Sequence, residues 1–91
     1  MLSFIPTPIG NKEDITLRAL RLLEELDILF CEDTRTTKKL LRMYDIDYRH
    51  KHFHVLTSFT DESRISTYIQ LLKENNCGLV SEAGTPGLSD P

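Results

Sequence analysis

The apolar positions of this chain follow two alternating patterns. Short apolar runs at residues 2–5 (LSFI), 27–31 (DILFC), 53–59 (FHVLTSF) and 77–81 (CGLVS) have the length and composition of strands. Between them, apolar residues recur at helical spacing. Ile15, Ala19, Leu22, Leu23 and Leu26 make one such face, Thr37, Leu40, Leu41 and Tyr44 a second, and Ile65, Tyr68, Ile69 and Leu72 a third. Pro6 is expected to end the first strand. Asp14, then Asp33 or Thr34, then Thr60 or Asp61 are the expected N-caps, because an oxygen there accepts from the free N–H groups of a first turn. Asn75 and Asn76 should stop the third helix, since Asn tolerates the left-handed conformation. Residues 45–52 (DIDYRHKH) read as an irregular charged connection. The order β-α-β-α-β-α-β, then a loop, predicts an α/β fold: a three-layer domain with a parallel sheet and right-handed crossovers.

In such sheets ligands bind beyond the carboxyl ends of the strands. The punctuated segments of this chain fall there: PTPIGN (6–11) after strand one, EDTR (32–35) after strand two, and SEAGTPGLSDP (81–91) after strand four. Glycine lets a backbone approach a ligand closely, and proline holds a loop in one shape. Two such loops at one edge argue for a ligand site rather than for turns alone. The known phosphate signatures are absent: there is no GxxxxGK[ST], and no GxGxxG follows the first strand. Glu32 and Asp33 beside Arg35 read either as a polar site or as a helix cap with a surface ion pair worth roughly 0–1 kcal/mol.

Composition narrows the class. A chain of 91 residues, 40% hydrophobic and 27% charged, is one small globular domain. No apolar run approaches the roughly 20 residues that span a bilayer, and no basic start leads into an apolar core. The expectation is therefore a cytoplasmic protein with no membrane contact. Cys31 and Cys77 lack metal-site spacing and read as buried, reduced thiols. His50, His52 and His54 alternate, which in a strand would put them on one face. No Cys or carboxylate cluster of matching spacing accompanies them, so no metal is expected. The formal net charge is −3, yet Arg35, Lys38, Lys39, Arg42, Arg49 and Lys51 face only Asp45 and Asp47 between residues 35 and 54. That stretch fits an anionic partner such as RNA, or equally a solvated helix face.

Three segments carry a family resemblance: IPTPIGNKEDITLRAL (5–20), EDTRTTKKLL (32–41) and LVSEAGTPGLSDP (79–91), in that order. They resemble the tetrapyrrole-methylase-like, class III S-adenosylmethionine-dependent methyltransferases. Within that family the resemblance is strongest to members that methylate a ribose 2′-hydroxyl of a cytidine in 16S ribosomal RNA. It implies that residues 1–91 are the N-terminal α/β domain of a two-domain enzyme. It also implies S-adenosylmethionine in the cleft between the domains, a homodimer, and the small ribosomal subunit as partner. Carried over by motif, Pro8, Ile9 and Gly10 would form one wall of the cofactor cleft, and Glu82, Gly84, Thr85 and Pro86 the other. Glu32, Asp33 and Arg35 would stand on the substrate side, and Lys38, Lys39 and Arg42 would meet RNA phosphates. No residue is assigned as the base. Two departures stand out: Glu82 replaces the family's usual Asp, and the family's His-Asn-Glu-like segment is here TSFTDESR (57–64), where only Glu62 matches. Two other readings remain open: a methyltransferase acting on a tetrapyrrole (corrin or porphyrin), and a non-catalytic binding or dimerisation module. Residues 1–91 alone are expected to bind the cofactor weakly or not at all.

Overall fold

A computed structural model describes residues 1–8 and 11–82, with backbone only at Glu82. The elements are β1 (Leu2–Thr7), a 3-10 turn (Lys12–Asp14), α1 (Leu17–Glu25), β2 (Ile28–Cys31), α2 (Thr34–Met43), β3 (His52–Val55), α3 (Glu62–Glu74) and β4 (Cys77–Glu82). All strand pairs are parallel and the sheet order is β1-β4-β2-β3. The expected alternation of strands and helices is borne out.

That order dictates the layers. The chain steps outward from β1 to β2 to β3, then returns to insert β4 between β1 and β2. Right-handed crossovers put the helices of the outward steps on one face and the helix of the return step on the other. The packing agrees. Ile5, Leu29, Cys31 and Val80 join Ala19, Leu23 and Leu41 of α1 and α2 in one buried cluster. The alternate strand residues Phe30 and Cys77 join Tyr68 of α3 in a second. Gly78, in the second strand of the sheet order, lets α1 lie close. A Cβ there would meet Ile5 Cδ1 at 2.6 Å, Leu29 Cδ2 at 3.0 Å and Leu26 Cδ1 at 3.1 Å.

Several local expectations are corrected. Pro6 does not end β1 but pairs within it, opposite Ser81. β1 lies at the edge of the sheet, where a missing N–H is tolerated. Asp14 does not cap α1. Thr16 does, its hydroxyl accepting from Ala19 N–H at 3.0 Å, while Asp14 closes the short turn that Asn11 begins. Asp33 and Asp61 cap α2 and α3 as expected, accepting from Arg35 N–H and Arg64 N–H at 2.9 Å each. Asn75 ends α3 in an extended conformation (φ −140°, ψ 160°), with its side-chain amide donating to Leu71 O at 3.2 Å.

The left-handed residue is Asp45 instead, at φ 57°. It ends α2 in a Schellman arrangement, with Asp45 N–H donating to Arg42 O (3.0 Å) and Ile46 N–H to Leu41 O (2.9 Å). The third helix is also rotated from the expected face. Tyr68 is buried with Leu71 and Leu72 packed beside it, and Ile65 and Ile69 remain 40% and 47% exposed. The Tyr68 hydroxyl explains the rotation: it reaches in to donate to Val55 O at 2.8 Å. Of the run 53–59, only residues through Val55 belong to the strand.

Candidate functional site

The carboxyl ends of the parallel strands share one edge, and the register decides what meets there. Thr7 is paired with Glu82, so the segments that follow β1 and β4 leave from adjacent strands at the same level. The buried Thr7 hydroxyl donates to Ser81 O at 3.1 Å, tying the two strands just below their exits. Pro8 follows directly and is half-buried. Ile9, Gly10, Gly84, Thr85 and Pro86 lie outside the described residues, as does the Glu82 side chain.

The next exits along the edge belong to β2 and β3. They stay paired beyond the strands, because Leu56 N–H donates to Cys31 O at 2.9 Å. Glu32 is exposed, and the Asp33 carboxylate is engaged in capping α2. Arg35 holds its Nε 3.9 Å from Asp33 Oδ1, and its side chain is 94% exposed. So long and exposed a pair leaves the guanidinium available to a ligand. The structure therefore brings Pro8, Glu32, Asp33, Arg35 and the backbone of Glu82 to one edge of the sheet.

α2 carries the positive charge away from that edge. It contains no acidic residue. At 3.6 residues per turn, Arg35, Lys38, Lys39 and Arg42 fall within an arc of about 100° on the side away from the buried Thr37 and Leu41. Lys39 and Arg42 are exposed. The Lys38 ammonium lies 5.4 Å from the Phe53 ring centre and 6.0 Å from that of Tyr48, and Arg42 Nη1 donates to the Tyr48 hydroxyl at 3.5 Å. Arg42 sits about 10 Å of helix rise beyond Arg35, so the four cations form a line rather than a cluster.

The rest of the basic stretch does other work. Arg49 makes two side-chain bonds to Asp47, at 3.1 Å each, and these bonds hold the Asp47 carboxyl down at about 2. Lys51 is buried. Its Nζ donates to Leu26 O (2.6 Å) and Glu24 O (3.1 Å), closing the carboxyl end of α1, with Asp27 Oδ1 3.9 Å away. Burial lowers its pKa against the opposing pull of Asp27, Glu24 and Asp47. Counted as surface charge in the sequence, Lys51 is a structural residue. Its position immediately before β3 was the available signal.

The three histidines do not converge. His50 Nε2 lies 3.3 Å from Asp27 Oδ1 before β3 begins, and His52 is exposed. His54 packs its ring against Phe30 and Tyr68, with centroids 5.4 Å from each. Burial, aided by the neighbouring His52, pushes the His54 pKa below its ordinary value. Among the described residues no group of three or more His, Cys, Asp or Glu is placed to hold a metal ion. Cys31 and Cys77 are free and buried, and burial pushes the Cys77 thiol up. No helix among the described residues is long and apolar enough to cross a membrane.

A parallel sheet wound on both faces, with Pro- and Gly-bearing segments leaving neighbouring strands at its carboxyl edge, is a frame for a small-molecule site. The model of the family Tetrapyrrole (Corrin/Porphyrin) Methylases matches residues 1–91, and the chain belongs to that family. Among its relatives, the Ribosomal RNA small subunit methyltransferase I of Mycoplasma pneumoniae is 44% identical over 90 residues, covering 99% of this chain and 33% of that protein. The protein of the same name from Borrelia garinii subsp. bavariensis is 45% identical, covering 100% of this chain and 40% of its own length. That of Bacillus subtilis is 44% identical, covering 100% and 30%. The chain thus spans about a third of the length of the curated relatives it matches.

Proposed function

We propose that residues 1–91 form the N-terminal α/β domain of a methyltransferase that uses S-adenosylmethionine to methylate a ribose 2′-hydroxyl of a cytidine in 16S ribosomal RNA. The observation that carries this reading is the pairing of Pro6 and Thr7 with Ser81 and Glu82, which brings the starts of PTPIGN and SEAGTPG side by side on adjacent strands. Family membership and the names borne by the relatives support the reaction class and the RNA substrate.

The ends of β1 and β4 support the cofactor reading. The Thr7–Ser81 bond closes the sheet below the two exits, so a ligand would rest on the strand ends and against the loops, where ligands of such sheets bind. Pro8, Ile9 and Gly10 form one wall in this proposal, and Glu82, Gly84, Thr85 and Pro86 the other. The glycines admit backbone to close range, and the Thr85 hydroxyl offers a further polar contact. When bound, S-adenosylmethionine supplies an electrophilic methyl group on a sulfonium. The task of the protein is then to align the ribose oxygen with it, a positioning effect that accounts for much of such rate enhancements. Glu32, Asp33 and Arg35 flank the substrate side, and the exposed cations of α2 meet phosphates. The proposed protein is a cytoplasmic homodimer acting on the small ribosomal subunit, with no residue assigned as the general base.

The test is methyl transfer by the full-length protein to purified 30S subunits lacking the modification, with a corrinoid precursor as the competing substrate. Label in the 2′-O position of a 16S cytidine is expected. Label in the corrinoid alone would replace the RNA reading with the tetrapyrrole one.

A further inference from the structure

Among the described residues, the most exposed large apolar side chain is Phe59, at 92%. It is held there by a well-bonded turn. Thr60 N–H donates to Thr57 O (3.1 Å), Thr57 N–H to Thr60 Oγ1 (2.9 Å) and Phe59 N–H to Thr57 Oγ1 (3.1 Å). Asp61 then starts α3, with its carboxylate accepting from Arg64 N–H and the Ser63 hydroxyl. The ring therefore forgoes the stabilisation that burial brings, on a backbone already fixed. The turn follows β3, so it stands at the carboxyl edge of the sheet, the edge of the proposed cofactor cleft. The adjacent exit, after β2, carries the almost fully exposed Arg35, and the acid-free basic face of α2 begins there.

We propose that Phe59 stacks on an unpaired base of the RNA substrate while Arg35 meets the phosphate backbone beside it. This rests on the ribosomal RNA reading above and names the contacts that hold the strand at this edge. Sequence-bearing RNA is gripped where bases are splayed out, on aromatic faces next to cations. The residues flanking Phe59 are polar: Thr57, Ser58, Thr60, Asp61 and Glu62. A single ring whose sequence neighbours are polar suits a planar base with a polar rim better than an apolar protein groove. Glu62 and the capped Asp61 repel phosphate on the α3 side, which directs the backbone toward α2.

The experiment uses the full-length protein with 30S subunits. Phe59→Ala is expected to raise the KM for the subunit on the order of tenfold, in the range of a lost base–aromatic stack, with unchanged cofactor affinity and melting temperature. Phe59→Tyr and Phe59→Trp restore it; Phe59→Leu does not. Arg35→Gln lowers the slope of log affinity against log salt by about one, and Phe59→Ala leaves that slope alone. An unchanged KM in Phe59→Ala, a Leu variant equal to wild type, or a fall in melting temperature in Phe59→Ala would each overturn the proposal. The last two would mark a protein contact. Wild-type protein that methylates no 30S subunits would instead defeat the RNA reading itself, and this inference with it.

Discussion

The two edges of the sheet are built on opposite terms. At the amino edge, polar groups are consumed internally. The amino group of Met1 donates to Asn75 O and Leu72 O at 2.9 and 3.2 Å, closing the end of α3. Lys51 does the same for α1 from a buried position, and Cys77 N–H and His52 N–H bond to Met1 O and Asp27 O. At the carboxyl edge, Glu32, Arg35 and Phe59 are exposed, and among the described residues the bonds there cap helices, fix a turn and tie neighbouring strands at their ends. The amino edge holds the fold together. In the proposal above, the exposed groups of the carboxyl edge are the ones that bind.

The contrast can be broken by substitution. The largest effect is expected from reversing the charge of α2. Lys38, Lys39 and Arg42 changed together to Glu in the full-length protein should abolish ribosomal RNA binding in a salt titration, because phosphate contacts dominate such affinity. Unchanged affinity would show the α2 face to be merely solvated. Next comes the amino edge. Lys51→Met removes a buried ammonium with two carbonyl partners and should cost about 1.5–3 kcal/mol in chemical denaturation. Arg35→Met, at the open edge, should stay within about 0.5 kcal/mol of wild type.

Gly78→Ala should cost about 1 kcal/mol or somewhat more in the same measurement. The atoms it meets are side-chain ends that can shift, but within a packed core. The smallest effect is a pH slope from His54. Its folded pKa is depressed below the unfolded value of about 6.5, so the unfolded chain binds more protons in the window below 6.5. The stability is present above that pH and is lost as pH falls through the folded pKa. Urea unfolding at several pH values should show this slope weaken in His54→Phe.

Much of the fold was legible because burial imposes its period on the sequence. The runs around Ile5, Leu29 and Val80 and the face made by Ala19 and Leu23 all ended in the core. The failures have local causes. Thr16 displaced Asp14 as a cap because a short turn intervened. Ile65 and Ile69 lost the core to Tyr68 because one hydroxyl had a carbonyl to reach. Lys51 read as surface charge, since its acceptors lie on α1, far away in sequence. The strand order was not predicted. It comes from long-range pairing, and with it comes the juxtaposition of Thr7 and Glu82 that turns two separate loops into one candidate site.

That juxtaposition is best tested by calorimetric titration of S-adenosylmethionine into the full-length protein and its Gly10→Val and Gly84→Val variants. Wild type is expected to bind in the micromolar range, and each variant to lose at least roughly tenfold, about 1.4 kcal/mol, while unfolding at the wild-type denaturant midpoint. Equal affinity in all three proteins would contradict a cofactor cleft formed by the exits of β1 and β4.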